Sequence, residues 1–232
     1  MKTLTFLPAF ALSCFSLIAG ALGQQEVRVR ALCFRGDFPP ELHAHHPTGA
    51  DTAGLLSIKS YLNHESNLLK FEGDKLAFTR KSDPSSATDF DERLGELEVP
   101  TGVKSLILLF LPDEAEPKSP KSKVVAIDDS VASFPAGSFK VANYSSLPVK
   151  IELEKVAFEI PPGESKVIDK PKFNESQAAT MFAYCKRDDE WRLISSGSWT
   201  NPGSKRVLQV VTEDPATKQI EIKGIRDVAT PE

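Results

Sequence analysis

All four histidines lie between positions 43 and 64, and three of them fall in Glu41-Leu42-His43-Ala44-His45-His46-Pro47. Drawn out as an extended strand, this run projects Glu41, His43 and His45 from one face and His46 from the other. Two imidazoles and a carboxylate on one face suit Zn²⁺ or Cu²⁺, with Asp37 or Asp51 available to complete a shell. The plainer reading is a polar loop bracketed by Pro39-Pro40 and Pro47, in which the histidines bind nothing. Met181 is the only methionine after Met1, which argues against a Cu(I) carrier built on thioethers.

Other reactive residue types are sparse in pattern. No Gly-x-Ser-x-Gly elbow is present, and Ser195-Ser196-Gly197-Ser198 reads as a strand running into a turn. Acid groups such as Asp89/Asp91 and Asp188/Asp189/Glu190 sit in polar connections, where they are solvated. Phosphate loops and dinucleotide fingerprints are missing from the sequence. Of three cysteines, Cys14 lies in the apolar leader described below, which leaves Cys33 and Cys185. In an oxidising compartment these two can form one bridge, and as separate residues they read as buried thiols. Asn143-Tyr144-Ser145 and Asn174-Glu175-Ser176 match the N-glycosylation sequon. Trp191 and Trp199 flank an expected hairpin near Tyr184; they read as sandwich core, with stacking on sugar rings as the alternative.

The elements that must position these residues are strands. Period-two or short apolar runs recur from Val27 to Phe34, Leu68 to Phe71, Lys75 to Phe78, Ser105 to Leu111, Lys123 to Ile127 and Ser138 to Asn143. They continue at Val149 to Leu153, Val156 to Ile160, Thr180 to Lys186, Trp191 to Ser196, Arg206 to Thr212 and Gln219 to Lys223. Turn signals such as Glu72-Gly73-Asp74 and Pro161-Pro162-Gly163 separate them. The fold class expected is all-β, with brief helical turns at Asp89 to Glu96 and Glu175 to Ala179.

Two segments match in register. Asn63 to Phe78 and Asn143 to Phe158 share Asn, Ser, Lys, Glu, Lys, Ala and Phe at corresponding positions, and each is followed by a proline-glycine corner. This predicts an internal duplication of two tandem Ig-like β-sandwich domains, 24–111 and 124–232, joined by a linker over 112–123 that holds three prolines. The competing reading is one larger sandwich in which that stretch is a long hairpin loop.

The first 23 residues read as a leader. Met1-Lys2 is a short positive start, Thr3 to Gly23 carries no charge, and Ala21-Leu22-Gly23 supplies small residues for cleavage before Gln24. A secretory signal peptide over 1–23 implies a periplasmic or secreted protein, and no later segment approaches membrane length. The chain has 232 residues, 41% hydrophobic and 26% charged, with formal net charge -4. That is globular composition and excludes a disordered, collagenous or strongly basic nucleic-acid-binding chain.

Phe134 to Ile168, FPAGSFKVANYSSLPVKIELEKVAFEIPPGESKVI, resembles uncharacterised secreted bacterial proteins with Ig-like or DUF-type β-sandwich repeats. The resemblance covers a structural motif and implies an envelope or secreted protein without an assigned activity. The expected function is an exported, non-catalytic binding or structural module needing no cofactor, with an unknown protein or envelope ligand. The alternatives are a Zn or Cu protein using Glu41, His43, His45 and His46, and a hydrolase with an unrecognised site.

Overall fold

The computed structural model describes residues 24–34, 37–112 and 121–229, so the expected signal peptide lies outside the described residues. Among them the chain is all-β, with one 3-10 turn at Pro84–Thr88. The first unit holds β1 (Gln25–Cys33), β2 (Glu41–His45), β3 (Thr52–Lys59), β4 (Asn67–Phe71), β5 (Lys75–Thr79), β6 (Arg93–Glu98), β7 (Ser105–Pro112) and β8 (Ser122–Asp128). They form a single sheet in the order β6-β5-β2-β3-β1-β7-β8, with β4 also paired to β1. That sheet curls until its end strands meet. Gly95 on β6 lies so close to β8 that a Cβ there would fall 2.4 Å from the Val124 side chain and 3.1 Å from the Ser122 carbonyl. Inside the curl, Val27, Val29, Leu42, Leu56, Leu69, Phe78, Leu106, Leu108 and Phe110 make one core.

The second unit is a sandwich of two four-stranded sheets. One runs β11 (Val156–Ile160), β10 (Val149–Leu153), β13 (Ala178–Arg187), β14 (Glu190–Thr200); the other runs β12 (Ser165–Ile168), β9 (Phe139–Asn143), β15 (Arg206–Glu213), β16 (Ile220–Asp227). Between them lie Phe139, Val141, Ile151, Met181, Val207 and Val211. Trp199 belongs to this core and stacks on Phe139 with ring centroids 4.7 Å apart.

The two units share a third core. Leu32, Ile107, Leu109, Leu111 and Ile127, on the outer face of the first sheet, pack against Phe134, Ala142, Leu208, Val210 and Ile225 of the second unit. Strands β7 and β15 are therefore covered on both faces, which explains their unbroken apolar runs. Fully burying one such aliphatic side chain contributes about 1.5–3 kcal/mol. Several together are comparable to the net stability of a typical domain, about 5–15 kcal/mol, so the shared core is a substantial part of what holds the two units together.

This arrangement differs from two linked sandwiches. Strands β7 and β8 pair antiparallel from Leu106 opposite Asp128 to Pro112 opposite Ser122. The described ends of the stretch expected as a linker, Pro112 and Ser122, are thus paired with each other within the first sheet, and the passage to the second unit comes after Asp128. The two matching segments also fold differently. Strands β10 and β11 form a hairpin with each other, whereas β4 pairs with β1 and β5 pairs with β2 and β6. A shared sequence pattern here accompanies two different pairings.

Four strands escape the period-two reading for local reasons. In β6 a bulge sets in where Phe78 faces Gly95 but Thr79 faces Arg93, so Leu94 and Leu97, three apart, both turn inward. That spacing imitates a helix, and the second half of the expected helical turn at 89–96 belongs to strand β6, Arg93–Glu98. A second bulge between Ala44 and His45 interrupts β2. Strand β3 changes its neighbours along its length, and β12 has only four residues.

Candidate binding site at the junction of the two units

The polar focus of the molecule is a closed network of two arginines and two aspartates where the units meet. Arg30, on β1, is bound to both carboxylate oxygens of Asp129, with Nη2 at 2.8 and 2.9 Å, and to both oxygens of Asp227 at 2.7 and 2.9 Å. Its Nη1 also donates to the Leu62 carbonyl at 2.8 Å. Arg206, at the start of β15, donates from Nε to Asp227 at 2.9 Å, from Nη1 to the Phe134 carbonyl at 2.7 Å and the Asp129 carbonyl at 3.2 Å, and from Nη2 to Asp129. All four residues are no more than 2% exposed. Two positive and two negative groups with every guanidinium nitrogen bonded satisfy the conditions under which buried charge is tolerated. Burial works against the charge of Arg30, but its bonds to Asp227 and Asp129 outweigh it and raise its pKa.

Beside the network the buried Lys140 ammonium donates to the Ser133 carbonyl at 3.2 Å, and burial pushes its pKa down. Asp128 is half-buried, which alone would raise its pKa. It accepts from the Ser133 hydroxyl at 2.5 Å and the Ser130 amide at 2.9 Å, and these donors together hold it below the ordinary carboxyl range.

A cleft of about 680 Å³ opens next to these groups. Its floor is the outer face of the first sheet beyond the point where the second unit covers it. Arg28 stands opposite Leu68 on β4 and opposite Ser105 on β7, so the three share that face. The turn 101–104 forms one wall and residues 128–130 the other. Two ties hold these walls in place: the Asp129 amide donates to the Ser105 carbonyl at 3.0 Å, and the Arg28 amide to the Lys104 carbonyl at 2.9 Å. The lining brings the charged residues Glu26, Arg28, Lys104 and Asp128 together with apolar surface that includes Leu68 and Val103.

The residues singled out from sequence lie elsewhere. Glu41 is exposed and His43 half-buried, while His45 is fully buried. His45 Nε2 donates to the Lys81 carbonyl at 2.9 Å, which leaves Nδ1 to accept from the Thr52 hydroxyl at 3.1 Å. Burial lowers its pKa. The His43 and His45 rings lie parallel with centroids 6.1 Å apart, and His46 bonds Thr48. Among the described residues no group of three or more His, Cys, Asp or Glu side chains is placed to hold a metal ion. Cys33 packs against the core of the first unit and Cys185 is buried on β13; they are not joined in a disulfide. Asn143 is fully buried and bonds the Leu147 and Ile160 carbonyls, so in the folded chain only Asn174 of the two sequon asparagines is exposed. Trp191 faces outward, where the Lys150 ammonium lies 4.8 Å from its ring and 4.6 Å from that of Tyr184.

Sequence reasoning missed the network. In β1 the alternation Arg28, Arg30 reads as a solvated face. The signal that could have found it is the change on that same face to Leu32, which announces a covering layer over the second half of the strand.

Among the described residues no helix is long and apolar enough to cross a membrane. No protein-family model matches the chain, and no curated protein matches it. Solved structures that are similar include a proposed cell adhesion protein from Bacteroides uniformis ATCC 8492, at 10% identity and TM-score 0.23 over 90% of this chain and 98% of that one. Another, from Parabacteroides distasonis ATCC 8503, has 5% identity and TM-score 0.21 over 91% and 99%. A third, from Bacteroides ovatus ATCC 8483, has 9% identity and TM-score 0.23 over 90% and 100%. Likeness of this degree carries no argument about function.

Proposed function

We propose that this chain is an exported, non-catalytic binding or structural module of the bacterial cell envelope, and that its ligand enters the cleft at the junction of the two units. The observation that carries the reading is the cleft itself. Its walls come from segments tied to the buried network, so its shape is set before a ligand arrives, and its lining mixes a few convergent polar groups with apolar surface. The uncharged stretch from Thr3 to Gly23 supports export.

The test is retention of the purified chain on washed envelopes of the producing cells. Ser105→Tyr raises a ring from the cleft floor, and Thr101→Tyr places one at the rim without touching the Ser105–Asp129 contact. Both variants are expected to melt within a few degrees of the parent and to lose retention at least tenfold. Retention unchanged in both folded variants overturns the assignment of the cleft.

A further inference from the structure

We infer that the outer face of the β11-β10-β13-β14 sheet is a platform for a neutral oligosaccharide, a ribbon of β-1,4-linked glucose. This is a second site, carried by the second unit alone, and it goes beyond the reading of the cleft. The sheet that packs on the first unit is the other one, through Ala142 on β9, Leu208 and Val210 on β15 and Ile225 on β16. The β11-β10-β13-β14 sheet gives its inner face to the core, with Val149, Ile151, Met181 and Ala183. Its outer face is turned away from the first unit, where a solvated strand face is ordinarily polar. Here much of it is aromatic and aliphatic.

The register defines that face. Lys186 pairs with Trp191, Tyr184 with Leu193, Phe182 with Ser196 and Thr180 with Ser198. Lys150 stands opposite Tyr184 and Glu159, and Glu152 opposite Phe182. Trp191, Tyr184 and Phe182 therefore occupy three successive rows, about 6.8 Å apart, as a line of rings along β13 and its neighbour β14. Trp191 and Tyr184 are half-buried, while Phe182 is 37% and Leu193 57% exposed. Large apolar side chains grouped on open surface mark a binding face.

The chemistry of the occupant follows from the size of the face and the groups beside the rings. Four strands about 4.8 Å apart, with rows about 6.8 Å apart, limit the face to about 500 Å². A stable interface with a second copy or another protein buries roughly 800 Å² per partner. The charged groups on the face are two ammoniums, Lys150 and Lys186, and two carboxylates, Glu152 and Glu159. They balance, so the face suits a ligand without net charge. Charged groups on the β10–β11 side and the Ser196 and Ser198 hydroxyls on β14 bracket the apolar rings. An all-equatorial pyranose is built to the same plan, with C–H faces and a rim of hydroxyls. A β-1,4 chain keeps those faces along a straight line, as rings in successive rows require, whereas an α-1,4 chain coils away from it. The Lys150 ammonium lies 4.6 Å from the Tyr184 ring and 4.8 Å from that of Trp191, a cation–π contact that holds the two rings in place before a ligand arrives.

The experiment is titration of the full chain with cellohexaose, read by calorimetry and by tryptophan fluorescence. Trp199 is buried in the core, so a ligand on the face changes the emission of Trp191. Saturable binding is expected, at least tenfold tighter than that of maltohexaose and little changed by added salt, because the ligand carries no charge. Trp191→Ala and Phe182→Ser should each weaken it at least tenfold. Leu193→Ser, at the most exposed position of the patch, should also weaken it and tests the platform even if one of the others fails to fold. Thr101→Tyr, in the cleft, should bind as the parent does. No binding at millimolar cellohexaose, equal affinity for maltohexaose, or unchanged affinity in the folded Trp191, Phe182 and Leu193 variants overturns the proposal. Loss of binding in Thr101→Tyr would move the sugar to the cleft and overturn it equally. A concentration-dependent dimer abolished by Trp191→Ala would assign the face to a second copy instead.

Discussion

Replacing Arg206 by Met removes the most deeply embedded charge of the molecule while keeping an unbranched side chain of similar reach. The guanidinium bonds Asp227, Asp129 and the carbonyls of Asp129 and Phe134, and it lies 4.4 Å over the Phe134 ring. Without it, two buried carboxylates share only Arg30, and the site carries an uncompensated negative charge. Breaking a buried ion pair by removing one partner costs about 3–5 kcal/mol, and two orphaned carbonyls place this case toward the upper end. That is a large part of a typical total of about 5–15 kcal/mol. The pair Arg206→Met and Asp227→Leu restores a balance of one positive and one negative group, so the double variant is expected to be more stable than the sum of the single effects. Urea unfolding at pH 7 measures all three. Both tryptophans belong to the second unit, so their fluorescence reports that unit while far-ultraviolet circular dichroism reports both. Coincident midpoints are expected because the units share a core. A single-variant loss under about 1 kcal/mol, set against the range expected for such pairs, would refute the reasoning. So would additive effects or separated midpoints.

Cleavage between residues 113 and 120 is expected to leave two pieces that elute together and melt in one transition, because β7 and β8 remain paired across the cut; two separately folded fragments would show independent domains. Gly95→Ala should destabilise by about 1–3 kcal/mol through overpacking against Val124 and the Ser122 carbonyl, read from the urea midpoint. Lys155 holds φ 77° in the two-residue turn of the β10–β11 hairpin, so Lys155→Gly should gain about 1 kcal/mol by removing a left-handed side-chain conformation. Burial lowers the pKa of His45 and of His64, the latter beside Arg30 and Lys59. Both groups therefore favour the folded state fully above the unfolded value near 6.5 and lose that contribution as the pH falls toward their lower folded values. The melting temperature should drop from pH 6.5 toward acid, less steeply in His64→Gln. Zinc or copper added to untagged protein should not raise the melting temperature; a saturable rise abolished by His43→Ala would restore the metal reading on Glu41, His43 and His45.

The strand content was legible because half-buried strands alternate and fully buried ones read as apolar runs. Leu106 to Leu111 announced a strand with no solvated face, and Trp199 announced core. The sites were less legible. His45 was readable as a ligand from spacing alone, yet the bulge after Ala44 turns it inward to Thr52 and Lys81. Bulges displace side chains without changing residue types, so nothing in the composition of β2 or β6 records them.

By itself the amino-acid order determined that the chain is built of strands, where most of them lie, and that its first residues resemble an export leader. These are local properties, encoded by neighbours two to eight positions apart. Only the tertiary structure decided which strands pair, that β7 and β8 lie side by side in one sheet, and that the two units share a common core. It alone brought together Arg30, Asp129, Arg206 and Asp227 from positions up to 197 residues apart. A lone arginine in an alternating strand has the same sequence signature whether it faces water or two buried carboxylates. Which it faces depends on what the distant strands lay over it, and here the same covering layer that buries the network also ends short of Arg28 and leaves the cleft open.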